Sequence, residues 1–275
     1  RDKSGTFIGA RMGRPEKAKV RKLDGSPHTL FPIGKEGGKL RSFQSAMEAG
    51  NVQAEFPIYF CDICSKETIL SVCEQCDTKT RKMGHCNSCG LVDGARCRHG
   101  NAVQYKTQNI NINDYFKNVL KKLNMQQYPD LIKGVRGTSN KNHIPEHFAK
   151  GILRAKYDIP INRDGTTRYD MTQLPITHFK PKEISTSVED LKRLGYDKDI
   201  NGLDLTNPEQ ILELEPQDII LPKCEDAPEL GADKILYNLS MFIDELLVSF
   251  YNLNPFYKLK SEKNLIGHLV VALAP

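Results

Sequence analysis

The chain has 275 residues, 39% of them hydrophobic and 27% charged, enough apolar content for one large or two medium domains with cores of their own. Its 39 Lys and Arg against 34 Asp and Glu leave a net charge of only +5, which excludes a uniformly polycationic coat. No apolar run approaches the roughly 18 residues that a membrane span needs, which excludes a transmembrane helix. Eight cysteines and no secretory signal in the opening RDKSGTFIGA argue for a reducing, cytoplasmic compartment.

Residues 1–56 alternate short apolar runs such as TFIGA and TLFPIG with Gly, Pro and charge, predicting short strands and loops, with FQSAMEAG as one or two helical turns. Within them RMGRPEKAKVRK, from Arg11 to Lys22, carries six basic residues against Glu16 alone. Pro15 breaks any helix there, so Arg14, Lys17 and Lys19 project from a loop or strand, Lys17 and Lys19 on one side if the backbone is extended. Arg11, Arg21 and Lys22 continue the patch. A solvated basic loop is the competing reading.

Residues 57–104 form a separate module. They hold Cys61 and Cys64, Cys73 and Cys76, Cys86 and Cys89, then Cys97 followed by His99. Each C-x-x-C pair puts two thiolates on one turn, and two pairs complete a four-ligand shell around zinc, so the spacing predicts two structural ions. Taken in order, Cys61, Cys64, Cys73 and Cys76 hold one, and Cys86, Cys89, Cys97 and His99 the other. His85 is a rival ligand, an interleaved pairing is open, and a thioredoxin-like redox role is the lesser alternative. Four protein ligands leave no position for a reacting water, so such ions brace backbone and supply folding free energy to a segment poor in aliphatic residues. Lys66, Lys79, Arg81, Lys82, Arg96 and Arg98 lie between the ligands and suit nucleic acid or plain solvent equally.

Residues 105–275 are expected to be an α/β region. QNININDYFKNVLKKLNM predicts an amphipathic helix through Ile112, Tyr115, Phe116, Val119, Leu120 and Leu123, with Asn113 as N-cap. From Leu131 to Lys182 ten Lys or Arg face four acids in a tract dense in turn formers, read as strands and loops with a hairpin tip at Asp164 and Gly165. Lys133, Arg136, Lys141, Arg154, Lys156, Lys180 and Lys182 are its candidates for duplex-backbone contact. His143, His147 and His178 lack a third ligand and are not read as a metal site. VEDLKRLGYD predicts a short helix ending at Gly195. An acidic stretch follows, eleven acids against Lys198 and Lys223 between Asp197 and Asp233, and its NPEQILELEPQDIILPK is helix or strand broken at Pro216. ADKILYNLSMFIDELLVSFYNL predicts a well-buried helix, and Cys224 a free thiol. With no initiating Met and an ending in HLVVALAP, where an apolar strand-like run begins, the chain is expected to be an internal piece of a longer polypeptide.

GTFIGARMGRPEKAK, LIKGVRGTSNKNHIPEHFAKGILRAK, THFKPKEISTSVEDLKRLGYDKDINGLDL, QDIILPK and NLIGHLVVALAP together resemble the large subunit of the archaeal D-family DNA polymerases. The resemblance runs over nearly the whole chain. It implies an α+β polymerase core of the double-psi β-barrel type, as in multisubunit RNA polymerases, with inserted zinc ribbons. Residues 1–56 would belong to the first barrel, and residues 105–275 would lead into the second. It further implies template-directed nucleotidyl transfer from dNTPs onto primer–template DNA, a smaller exonuclease subunit and a sliding clamp as partners, and catalytic Mg²⁺ on aspartates beyond the end of this chain. By analogy Lys17 and Lys19, with Arg14 nearby, would face phosphates of the primer end or nucleotide. In keeping with this, Asp158, Asp164 and Asp170 are spread over a hairpin, and Asp197 with Asp199 lies in an ordinary acidic loop. A non-catalytic zinc-ribbon nucleic-acid binder explains the cysteines and basic tracts but not the large remainder, and a metallohydrolase has only scattered histidines in its favour.

Overall fold

The computed structural model describes residues 9–11, 26–162, 165–167, 177–215, 220, 231–260 and 270–272. In chain order the strands are β1 (Gly9–Arg11), β2 (Asn51–Pro57), β3 (Tyr59–Cys61), β4 (Lys66–Thr68), β5 (Arg81–Cys86), β6 (Gly90–Asp93), β7 (Arg96–Cys97), β8 (Gly100–Asn101), β9 (Tyr105–Asn111), β10 (His178–Phe179), β11 (Leu212–Glu213) and β12 (Val270–Ala272). The helices are α1 (Phe43–Ala49), α2 (Ile112–Leu123), α3 (Phe148–Lys156), α4 (Val188–Arg193) and α5 (Ala232–Ser249). The fold class is mixed α+β, with small sheets. Described residues within Lys22–Thr167 and Glu245–Asn254 form one compact unit, and those within Arg1–Arg21, Arg168–Asp244 and Pro255–Pro275 form another.

The first unit is built on aromatic residues. Phe31, Phe43, Phe56, Phe116 and Phe148 are fully or almost fully buried. Phe43 stacks on Phe148 at 3.8 Å, and Phe31 lies 5.2 to 5.8 Å from Phe56, Tyr115 and Phe148, separations at which offset and edge packing stabilise a core beyond area alone. Around this core β2 and β9 pair antiparallel, Asn51 opposite Asn111 and Pro57 opposite Tyr105. The chain leaves this ladder at Ile58 and returns at Gln104, so everything between is carried on one two-stranded stalk. The excursion forms a four-stranded antiparallel sheet, order β4-β3-β5-β6, and the β7-β8 hairpin.

Helix α2 starts earlier than its asparagines suggest. Asn111 is the cap, its side-chain oxygen accepting from the backbone N–H of Asn113 and of Asp114, while Asn113 donates to the Met47 carbonyl. The reason is Ile112, fully buried, which belongs in the first turn against the core. Helix α3 lies where strands and loops were expected. Its Gly151 weakens the helical pattern, yet a Cβ there would meet the Thr29 side chain at 2.3 Å, so close packing requires the glycine. His147 caps it by accepting from the Ala149 N–H.

The second unit has a core of Phe179, Leu191, Tyr196, Leu205 and Leu212. It is closed by the antiparallel β10-β11 pair and by α4, which Ser187 caps at its start and Leu194 at its end, with Gly195 at φ +102° just beyond. β1 and β12, from opposite ends of the sequence, pair in parallel with Gly9 opposite Val270. In α5 the burial expected of the apolar stripe holds for Ile235 and Phe242, with Ala232 and Leu236 buried beside them, whereas Leu239, Ile243, Leu246, Leu247 and, just past its end, Phe250 are half-buried. The turn at Gly165 closes through Asn162 and Thr166, while Asp164, Asp170, Pro216 and Cys224 lie outside the described residues. Among the described residues no helix is long and apolar enough to cross a membrane.

Candidate metal centres and nucleic-acid interface

The sheet on the β2-β9 stalk gathers the cysteines into two sets in sequence order. Cys61, Cys64, Cys73 and Cys76 bring their sulfurs within 4.8 Å of one another, and Cys86, Cys89, Cys97 and His99 do the same with their ligand atoms. His85 is not in the second set. Instead it pairs by backbone with Val103 at the foot of the module. Strand β3 delivers Cys61 and the turn after it Cys64, whose N–H donates to the Cys61 sulfur at 3.4 Å. Cys86 ends β5, and the β7-β8 hairpin carries Cys97 and His99, the His99 N–H donating to the Cys97 sulfur at 3.3 Å.

The spacing between ligand atoms distinguishes the chemistry. Cys61 and Cys76 sulfurs lie 3.5 Å apart, Cys64 and Cys73 3.8 Å, Cys86 and Cys89 3.7 Å, and His99 Nδ1 is 3.0 Å from the Cys89 sulfur. A sulfur tetrahedron with metal bonds of about 2.3 Å sets its corners about 3.8 Å apart, whereas a disulfide brings them to about 2.0 Å. The donor sets therefore fit a tetrahedral ion, and the described cysteines are free thiols. The proton distribution also fits. The Cys64 backbone N–H pulls the Cys61 thiol down to about 6, and the Cys64 thiol is pushed up to about 12, chiefly through its contact with Cys76. In the second set the Ser88 N–H brings Cys86 down to about 6, while contact with Cys86 pushes Cys89 up to about 11. Cys61 and Cys86 are thereby the readiest thiols of their sets to give up a proton, and a bound cation would displace the others.

Thr78 was not apparent from spacing. Its hydroxyl sits 3.0 Å from the Cys76 sulfur and 3.7 Å from that of Cys61, and the only sequence sign is a hydroxyl residue two positions after the last cysteine. Arg81 is committed within the module, gripping Asp62 and Asp93.

The basic candidates separate into committed and uncommitted cations. Arg154 is buried: it makes a two-pronged pair with Glu146 at 2.6 and 2.7 Å and donates to the His28 carbonyl at 3.3 Å. Its guanidinium is engaged by these partners inside the first unit, whereas the sequence reads it as a duplex-backbone contact. Lys156 reaches both oxygens of Glu245 at 2.7 Å and lies over the Tyr157 ring. Lys182 pairs with Glu209 at 2.6 Å, with Lys180 at 3.8 Å from the same carboxylate. Lys133, Arg136 and Lys141, by contrast, enter no ion pair among the described residues, and Arg136 and Lys141 are exposed. Arg11 lies in β1, while Arg14, Lys17, Lys19, Arg21 and Lys22 lie outside the described residues.

Comparison with known proteins identifies the family. Residues 124–275 match the model for the DNA polymerase II large subunit DP2, catalytic domain, and residues 1–93 that for its central domain. The chain belongs to the DNA polymerase II large subunit family. Over its whole length it is 42% identical to the DNA polymerase II large subunit of Archaeoglobus fulgidus, 39% to that of Nanoarchaeum equitans and 40% to that of Pyrococcus horikoshii. It spans 24%, 25% and 19% of those relatives, so it is similar to about a quarter or less of a DNA polymerase II large subunit. The first cysteine set falls inside the central-domain match. The second straddles its end, Cys86 and Cys89 within and Cys97 and His99 beyond.

Proposed function

We propose that this chain is the part of a DNA-directed DNA polymerase that supplies phosphate-facing cations and a zinc-braced scaffold to primer extension from dNTPs. The observation that carries the reading is the 42% identity to a DNA polymerase II large subunit over the whole chain, joined to the catalytic-domain match. Its substrates are primer–template DNA and dNTPs, and its partners a smaller exonuclease subunit and a sliding clamp.

Each cysteine set holds one structural zinc, closed by four protein ligands and without a coordination position for substrate. Bound Mg²⁺, held on carboxylates, would supply activation of the primer hydroxyl and would offset charge on the leaving pyrophosphate. Its carboxylates belong to aspartates beyond this chain, as the family resemblance implies. The barrel architecture follows from the family resemblance, and the parallel pairing of β1 with β12, strands far apart in sequence, is compatible with it. Arg11 on β1 begins the basic segment, and Lys17 and Lys19, with Arg14, face the phosphates of primer end or nucleotide.

The test is primer extension with Mg²⁺ by the full-length large subunit and its partner, comparing Lys17→Ala and Lys19→Ala with the parent. Loss of a cation from the reacting phosphates is expected to lower kcat about 100-fold. Unchanged extension by both variants removes these lysines from the site, and absence of extension by the parent removes the polymerase reading.

A further inference from the structure

The loop Gly34–Arg41, GKEGGKLR, was not singled out by its sequence, yet the fold sets it beside the uncommitted part of the basic tract. The Ile33 N–H donates to the Val135 carbonyl at 2.8 Å, the Val135 N–H to Phe31 at 3.2 Å and the Gly134 N–H to Arg41 at 2.9 Å. Ser42 and Lys133 form an antiparallel bridge. These bonds lie within one unit, so the two loops are held side by side by backbone.

The approach is close enough to require glycine at position 134, and the first loop is itself wound tightly enough to require one at position 37. A Cβ on Gly134 would meet the Phe31 carbonyl at 2.9 Å, and one on Gly37 would meet Ile33 at 2.3 Å and the Arg41 backbone at 3.0 Å. Arg41 itself adopts φ +53°, a left-handed conformation uncommon for a side chain of its size, which points its carbonyl at Gly134. At Gly38, φ +64°, the space a Cβ would fill is open.

Lys35, Lys39 and Arg41 thereby join Lys133, Arg136 and Lys141. Lys35, Lys39, Arg136 and Lys141 are exposed, and none of the six enters an ion pair among the described residues. Nearby acids do little to neutralise them: Glu36 turns one carboxylate oxygen inward, and Glu55 faces His143 at 3.2 Å. Elsewhere among the described residues Arg81, Lys106, Lys122, Arg154, Lys156, Lys180, Lys182 and Arg193 each have an acid partner, whereas Lys66, Lys79, Lys82, Arg96, Arg98, Lys117 and Lys121 do not. What sets the six apart is that backbone pairing gathers them on two adjoining loops. Six unneutralised cations on two adjoining loops fit a ligand that brings its own repeated negative charge.

We propose that the Gly34–Arg41 and Lys133–Lys141 loops form one clamp for the sugar–phosphate backbone of duplex nucleic acid, gripping it without reading its sequence. The choice of nucleic acid among polyanions rests on the polymerase reading.

The test is the salt dependence of primer–template binding by the full-length large subunit, followed by fluorescence anisotropy. Each phosphate contact adds about 0.9 to the slope of log K against log salt, so Lys35→Gln with Lys39→Gln is expected to flatten the slope by about 2 and to weaken binding ten- to hundred-fold at 0.1 M salt. Arg136→Gln with Lys141→Gln, on the partner loop, is expected to do the same. Lys180→Gln with Lys182→Gln, whose cations are already paired with Glu209, is expected to change the slope by less than half as much. Equal effects from all three pairs, or no effect from the first two at unchanged melting temperature, overturns the clamp and leaves the polymerase reading standing. A parent protein that fails to bind primer–template at low salt overturns the polymerase reading instead.

Discussion

Replacing Arg154 by Met keeps the stem of the side chain and removes its charge, which isolates the role of one guanidinium. Arg154 makes two short bonds to Glu146 and one to the His28 carbonyl, with side-chain exposures of 10% and 14% for the ion pair, and Glu146 also accepts from the Leu30 N–H. Removing one partner leaves the carboxylate buried with only the Leu30 N–H to offset its charge, which costs about 3 to 5 kcal/mol. For a protein of this size that is a fall in melting temperature of roughly 6 to 20 °C. Exchanging both residues, Arg154→Met with Glu146→Met, is expected to recover much of the loss, because no charge is then stranded. Calorimetric melting of the parent, both single variants and the double completes the cycle, with DNA binding measured on each. The reasoning is refuted if Arg154→Met melts with the parent while the salt slope of DNA binding flattens by about 1, since that is the signature of a phosphate contact.

Acid should weaken the first unit through two histidines. His28 and His147 are held at about 4 against an ordinary 6.5, chiefly by burial. The unfolded chain therefore binds protons between pH 6.5 and pH 4 that the folded chain refuses, and stability falls as pH drops through that window, by roughly 2 kcal/mol for each histidine at pH 5. His147→Asn, which keeps an acceptor at the N-cap, is expected to remove about half of the loss in urea midpoint between pH 7 and pH 5. An unchanged loss contradicts the assignment. Chelator should strip the two metal sets in order, the second first, because Cys89 and His99 are exposed whereas Cys61 and Cys73 are buried. Metal release followed with a chromogenic chelator is expected to be biphasic, and His99→Ala to abolish the fast phase only. Loss of the slow phase in that variant refutes the order.

What sequence could and could not reveal divides along local and long-range lines. Each C-x-x-C pair is local, and the fold joins adjacent pairs because β3, β5 and their turns are themselves neighbours. Helix α2 was legible from six apolar positions, although its start moved by two residues because burial of Ile112 outweighed the choice between two asparagines. Helix α3 was hidden by Gly151, whose reason is Thr29, more than a hundred residues earlier. The basic tract was legible as a tract, but whether a cation is spent inside the fold depends on partners such as Glu245 for Lys156, 89 positions away. For the same reason Lys35, Lys39 and Arg41 gain meaning only when backbone pairing sets them against Gly134 and Val135.

The zinc proposed for the two cysteine sets is the part of the scaffold reading that X-ray absorption at the zinc edge on the purified protein addresses directly. Two zinc ions per chain are expected, with about 3.5 sulfur neighbours each at about 2.3 Å and half an imidazole nitrogen, the average of one four-sulfur and one three-sulfur, one-nitrogen shell. A protein with fewer than two ions, or with light-atom ligands in place of sulfur, would contradict it.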